Sequence, residues 1–143
     1  HGLKEFIISL GPEIPRIAII CFDLDNFKKL QDKPGNGHQW GDQALETFAY
    51  VLQHSLRHTD AAVRDGGDEF CVILPGVVNE NIKTFLGRLW LNLDKNLVGS
   101  ERLKTTYGIS VGLSKNFSEK YEEARSKMER EKQTRHRGRE LLH

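Results

Sequence analysis

The sequence predicts an α+β fold, a central mixed or antiparallel sheet flanked by helices and related to the ferredoxin-like plan. Three observations carry that prediction. Arg16–Leu24 is a continuous apolar, β-branched run, which suits a central strand covered on both faces. Two short strand-like runs, Ala61–Asp65 and Glu69–Leu74, are split by Gly66-Gly67. Two glycines in that position signal a hairpin, because type I′ turns need positive φ at both central residues. Amphipathic stripes alternate with these runs, giving the order β-α-α-β-β-α-β-α after an initial helix.

The elements follow in order. Gly2–Leu10 places Leu3, Phe6, Ile7 and Leu10 at helical spacing, and Gly11, Pro12 and Pro15 end it. Arg16–Leu24 breaks into charge at Asp23 and Asp25. Asn26–Gln31 reads as a short helix, followed by a loop from Asp32 to Gly41 that carries Pro34, Gly35 and Gly37. Asp42–His58 is an amphipathic helix with Leu45, Phe48, Leu52 and Leu56 on one stripe. The hairpin comes next, then a second long helix over Asn79–Leu97, built on Ile82, Phe85, Leu86, Leu89 and Leu93. Thr105–Leu113 alternates through Tyr107, Ile109 and Val111 as a strand does. Phe117, Tyr121, Ala124 and Met128 form a last helical stripe. Beyond Met128 it gives out into Arg, Lys and Glu, so that end is expected to be solvent-exposed or unsupported.

A length of 143 residues suits one domain, so the whole chain, 1–143, is expected to be a single unit. Lys and Arg number 21 against 20 Asp and Glu, which excludes the cationic excess of a generic nucleic-acid binder. Apolar residues make up 38% and charged residues 29%, far from the profile of a disordered chain. Cys21 and Cys71 lie in apolar stretches outside any CxxC pair and read as reduced core residues of a cytosolic protein. No apolar run reaches the roughly 20 residues of a membrane span, and no signal peptide is evident, so a soluble domain without membrane contact is expected. The chain opens at His1 with no Met, which suggests a domain excised from a larger protein. The six histidines form no HxxxH or HxH pattern, and Trp40 and Trp90 read as packing residues.

Two acidic groups stand out. Asp23-Leu24-Asp25 puts paired carboxylates at the end of the buried strand, and Gly66-Gly67-Asp68-Glu69 puts two more beside the hairpin turn. Each has an ordinary reading on its own, a helix cap and solvated strand end in the first case and a tight turn with polar shoulders in the second. Together they would gather several carboxylates in one place. Like charges a few ångströms apart raise one another's pKa, and a divalent cation relieves the conflict. Oxygen-only ligation suits Mg²⁺ or Mn²⁺ holding substrate phosphates, and glycines in the turn let phosphate oxygens approach backbone N–H groups. The residues therefore point to metal-assisted chemistry on a nucleoside triphosphate.

Val63-Arg64-Asp65-Gly66-Gly67-Asp68-Glu69-Phe70 resembles the signature of the GGDEF family, the diguanylate cyclases. Phe22-Asp23-Leu24-Asp25-Asn26-Phe27-Lys28 is similar to the family's first-strand motif, and Gly37-His38-Gln39-Trp40-Gly41-Asp42 matches its G-H-x-x-G-D. Ile109-Ser110-Val111-Gly112 and Leu74-Pro75 resemble later family segments, so the likeness runs from Ile17 to about Lys132 in family order. The resemblance implies a fold akin to nucleotidyl cyclase and polymerase palms, and the condensation of two GTP into cyclic di-GMP with loss of two pyrophosphates. Carried over by position, Asp23 and Asp68 would ligate Mg²⁺ or Mn²⁺ with the Leu24 carbonyl, and Gly66 and Gly67 would lie along the triphosphate. Asp68 or Glu69 would take the proton from the attacking 3′-hydroxyl, and Asp42 would read the guanine edge. Phe27, Lys28, Gln31, Asp32 and Lys132 would complete the substrate contacts. The two-fold symmetric product implies a homodimer when active, driven by a sensory or regulatory neighbour and located in the cytoplasm.

The chain also departs from the family pattern. Gln31 stands where the family reads guanine with Asn, keeping the amide but adding a methylene, and two extra residues fall within Lys33–Gly37. Lys132 aligns with a phosphate-binding Lys, whereas His136 falls on an Arg for which Arg135, Arg137 or Arg139 could substitute, and a solvated basic tail is the competing reading. Arg57-His58-Thr59-Asp60 lies five residues before the diglycine, where the family binds its inhibitory product, although the same pattern also makes a common helix-end ion pair. These departures leave two functions open, an active cyclase and a catalytically silent module that binds GTP or cyclic di-GMP.

Overall fold

The computed structural model describes residues 2–10, 16–25, 35, 37–76 and 79–142, with the side chains of 2–4, 37–38 and 136–142 outside that description. Strand β1 (Arg16–Leu24) is the centre of the molecule, and every residue of it after Arg16 is buried. It pairs antiparallel with β3 (Glu69–Pro75) on one side and with β4 (Thr105–Leu113) on the other, while β2 (Ala61–Gly66) pairs with β3 at the edge. The described sheet therefore runs β2-β3-β1-β4, antiparallel throughout.

Alternation along β1 divides the core in two. Ala18, Ile20, Phe22 and Leu24 share one face with Phe70, Val72 and Leu74. Helices α2 (Gly37–Ser55) and α3 (Asn79–Lys95) cover that face with Phe48, Leu52, Phe85 and Leu89. Phe22 is central, its ring 5.8 Å from that of Phe48 and 6.5 Å from that of Phe85. Burying such a side chain contributes about 1.5–3 kcal/mol. The opposite face carries Ile17, Ile19, Cys21, Cys71 and Ile73. It is covered by α1 (Gly2–Leu10) through Phe6, Ile7 and Leu10, and by α4 (Phe117–Leu142) through Ala124 and Met128.

Helix α4 lies very close to β4 because Gly108 is there. A Cβ on Gly108 would stand 2.3 Å from the Ala124 carbonyl oxygen and 2.4 Å from the Met128 nitrogen, so the approach depends on glycine. Cys21 and Cys71 are free, buried and opposite one another in the β1–β3 register. A contact with the Cys21 thiol, together with burial, pushes the Cys71 thiol up.

Several boundaries differ from the sequence-based expectation. Helix α2 starts at Gly37, five residues before Asp42, and ends at Ser55. Its early turns are thus built through Gly37 and Gly41, residues that disfavour helix locally but are overridden by packing, since Trp40 lies against the core. The hairpin turn is centred on Gly67-Asp68, not on Gly66-Gly67. Gly66 already pairs with Glu69, and the register shifts between Arg64 and Gly66, so the extra residue makes a bulge. Gly66 and Gly67 both have positive φ, 132° and 49°. The Arg64 Nε–H donates to the Gly67 carbonyl at 2.8 Å and braces the turn. Helix α4 continues well past Met128 to Leu142. The short helix expected at Asn26–Gln31 and most of the loop after it lie outside the described residues.

Candidate active site

The site forms where β1 leaves the apolar core. Asp23 continues the face of Ile17, Ile19 and Cys21, so it points toward α4. The register sets it opposite Glu69 of β3 and Thr106 of β4. The Leu24 N–H donates to the Asp68 carbonyl at 3.2 Å, stitching the hairpin turn to the end of β1. Thr105 Oγ1 donates to the Asp23 carbonyl at 2.8 Å and fixes the backbone from the other side. Asp23, Asp68 and Glu69, two parts of the sequence 45 residues apart, are thereby brought to one place.

Asp23 is only 2% exposed. Its Oδ2 accepts a hydrogen bond from Lys132 Nζ at 2.8 Å, while its buried Oδ1 has no partner among the described residues. Burial pushes its pKa up, Lys132 opposes that rise, and the adjacent Asp68 carboxyl reinforces it, leaving Asp23 at about 7. Lys132 is the complement. Partial burial works against its charge, yet Asp23, Asp68 and Glu129 raise its pKa above the ordinary value.

Helix α4 supplies two further cations. Arg125 Nη2 lies 3.5 Å from Glu69 Oε2, and that carboxylate above all raises the Arg125 pKa. Arg135 Nη1 reaches Asp25 Oδ2 at 2.9 Å, and Asp25 Oδ1 accepts from Thr106 Oγ1 at 2.6 Å. Between Met128 and Arg135 the basic end of α4 is mostly exposed, as expected, but Lys132 and Arg135 give it ionic support. It is tied down by charge where its apolar stripe stops. Glu129 also faces this place, and carboxylate oxygens of Asp23, Glu69 and Glu129 lie within 4.8 Å of one another.

The other residues singled out from sequence fall as follows. Gly66 and Gly67 are exposed at the hairpin end, and a Cβ on either would meet nothing within 4 Å, so backbone conformation rather than crowding calls for glycine. Asp42 is exposed on the second turn of α2 and makes no hydrogen bond or ion pair among the described residues. Phe27, Lys28, Gln31 and Asp32 lie outside the described residues, as do the side chains of His136, Arg137 and Arg139. Arg57 and Asp60 lie between α2 and β2 and hold one another. The Arg57 N–H donates to Asp60 Oδ2 at 2.8 Å, and its Nη2 to Oδ1 at 3.1 Å and to the Pro75 carbonyl at 3.4 Å. The motif is thus an ion pair in this conformation.

Arg125, Glu129 and Thr106 were not singled out from the sequence. The spacing 125–129–132 places one charged face on a helix, a signal that reads as a solvated stripe until the strand register is known.

The family model described as "Diguanylate cyclase, GGDEF domain" matches residues 12–138. Diguanylate cyclase DgcS of Shewanella oneidensis is 49% identical over 79 residues, which cover 55% of this chain and 26% of that protein. The chain thus matches about a quarter of that relative's length. Diguanylate cyclase SiaD of Pseudomonas aeruginosa, solved with its activator SiaC, superposes with a TM-score of 0.77 at 24% identity, covering 93% of this chain and 52% of that one. The GGDEF domain of DgcB from Caulobacter crescentus, solved with c-di-GMP, superposes with a TM-score of 0.65 at 24% identity over 92% of this chain and 76% of that one. At such identities the two structures speak for the fold, and the match of the family model across 12–138 settles the kinship: the chain belongs to the GGDEF domain family.

Proposed function

We propose that this domain condenses two GTP molecules into cyclic di-GMP and two pyrophosphates, using a divalent cation, Mg²⁺ or Mn²⁺, held at Asp23 and Asp68. The observation that carries this reading is the buried Asp23, whose Oδ1 has no hydrogen-bond partner among the described residues and which stands beside the Asp68 carboxyl. A buried acceptor left unpaired costs about 1–3 kcal/mol, so a fold that keeps one is built for something that binds there. Carboxylate oxygens and a nearby backbone carbonyl are the donors that hard divalent cations prefer, which supports the Asp23, Leu24 and Asp68 set. When bound, the cation supplies positive charge that favours the deprotonated 3′-hydroxyl and the developing charge on the leaving pyrophosphate.

The chain's own residues do the rest. Asp68 or Glu69, at the turn, accepts the proton of the attacking 3′-hydroxyl. Gly66 and Gly67 leave open space at the hairpin end, which lets a triphosphate lie against the backbone. Lys132 then exchanges its Asp23 contact for a phosphate oxygen. Asp42, exposed and without a partner among the described residues, accepts from the guanine N1 and N2 donors, with Gln31 as the second guanine contact. Phe27, Lys28 and Asp32 line the substrate. The product is two-fold symmetric, so two domains, each carrying one GTP, face each other in a homodimer, with a sensory or regulatory neighbour setting their approach. Arg57 and Asp60 form the inhibitory product site, opening their mutual ion pair to grip cyclic di-GMP. We assign the domain to the cytoplasm; no helix among the described residues is long and apolar enough to cross a membrane.

A second reading is favoured by one observation. Lys132 and Arg135 already pair with Asp23 and Asp25, which is how a silent domain that only binds GTP or cyclic di-GMP would neutralise its carboxylates. Incubating the protein at high concentration with GTP and Mg²⁺, then resolving nucleotides by chromatography, separates the two. Cyclic di-GMP is the expected product, and its absence with cyclic di-GMP binding retained selects the silent reading.

A further inference from the structure

We propose that Glu129 of α4 is a ligand of the divalent cation held by Asp23, so that the last helix completes the metal site from outside the sheet, an inference that rests on the metal-dependent reading above. Carboxylate oxygens of Asp23, Glu69 and Glu129 lie within 4.8 Å of one another. Oxygens on opposite sides of a hard divalent cation lie about 4–5 Å apart, so the spacing fits one ion. The cluster does not stand alone. Asp23 is 2% exposed, and its Oδ1 is buried without a hydrogen-bond partner among the described residues. Charge points the same way. Asp23, Asp68, Glu69 and Glu129 are four carboxylates, and the cations that meet them among the described residues are Lys132 and Arg125. With all four ionised, as at the pH 8 of the test below, the balance of two negative charges equals the charge of one divalent ion.

Glu129 is well placed for the role because α4 is fixed there. The Gly108 contact sets its height over β4, and the Arg125–Glu69 and Lys132–Asp23 pairs set its rotation, one on either side of Glu129. The competing role is electrostatic only, with Glu129 serving to hold the Lys132 ammonium over Asp23. The two roles have opposite consequences. If Glu129 only steadied Lys132, its neutralisation would leave cation binding unchanged or tighter, since Lys132 competes for Asp23.

The test is a titration of EDTA-treated protein with Mn²⁺ at pH 8, without nucleotide, read by the electron paramagnetic resonance signal of free Mn²⁺. The variants are Glu129→Gln, Asp23→Asn and, as a charge control on an exposed position of the same helix, Glu131→Gln. We expect Glu129→Gln to weaken Mn²⁺ binding by at least about tenfold, no less than the loss of an outer-shell partner costs, and Glu131→Gln to leave it within about twofold. Asp23→Asn should abolish it. The rise in melting temperature on adding Mn²⁺, smaller in Glu129→Gln than in the wild type, gives a second readout and shows that the variant is folded. Wild-type affinity in Glu129→Gln, with binding lost in Asp23→Asn, overturns the role of Glu129 and leaves the metal site standing. Equal affinity in all three variants overturns both.

Discussion

Two ion pairs in this molecule are built from the same parts and end differently. Asp60 and Asp23 both have buried carboxylates, with side chains 0% and 2% exposed, and each meets a cation that is about two-fifths exposed, Arg57 at 38% and Lys132 at 40%. Asp60 is satisfied. Both of its oxygens accept from Arg57, whose Nη2 also reaches the Pro75 carbonyl, so the pair clasps the end of α2 to the end of β3. Asp23 is not satisfied among the described residues, because one oxygen has Lys132, the other has no hydrogen-bond partner there, and a second carboxyl stands beside it. The same chemistry therefore gives a structural clasp where the local chain closes on itself, and a half-satisfied acceptor where two distant strand ends meet. Only the second has an unpaired carboxylate oxygen with which to bind a cation.

Substitutions can break that contrast, and the largest effect should come at the unsatisfied end. Asp68→Ala should lower cyclic di-GMP formation by about a thousandfold or more, measured by chromatography, because the group proposed to hold the metal and take the proton is lost. Its stability should change little, since Asp68 is half-exposed on a turn.

Next is the pH dependence of the metal-free protein. Asp23 sits at about 7, above its ordinary 3.8. The folded state thus binds a proton more tightly than the unfolded one, and its contribution is present below about pH 4 and lost as the pH rises through 7. An upper bound on that loss is about 4 kcal/mol. Asp23→Asn should remove it, making metal-free protein more stable than the wild type at pH 8, with the gap closing toward pH 4 in urea melts. An unchanged gap would show that Asp23 is not held ionised against burial.

Arg57→Ala tests the clasp. It leaves Asp60 buried without its cation and should cost about 1–2 kcal/mol, discounted for the exposure of Arg57. Turnover should persist while inhibition by cyclic di-GMP is relieved, and unchanged inhibition would remove the product site. Arg135→Ala should be smallest. The pair with Asp25 is exposed on the Arg side, so a stability loss under about 1 kcal/mol is expected in thermal melts.

Much of this was legible in the sequence where burial is two-sided or strictly periodic. β1 and β4 have the bounds that their apolar patterns predict, Arg16–Leu24 and Thr105–Leu113. The meeting of Asp23 with Asp68 was also foreseeable, since a buried strand ending in acid beside an acidic hairpin has few other places to go. Long-range consequences were not legible. The start of α2 at Gly37 depends on packing that overrides glycine's poor helix propensity. The bulge before Gly66, which moves the turn to Gly67-Asp68, is a register effect with no local sequence rule. The ionic support of α4 up to Arg135 is not legible in its own sequence because it comes from β3, from the end of β1 and from Asp25 just after it, more than fifty residues away. Glu129 could not be ranked above Glu131 until the face of α4 toward Asp23 was known.

Calorimetry of GTP binding, with and without Mg²⁺, tests the central claim most directly. The account predicts binding that requires Mg²⁺ in the wild type and disappears in Asp23→Asn, whose fold is verified by its melting curve. GTP bound equally well without Mg²⁺, or by Asp23→Asn, would contradict it.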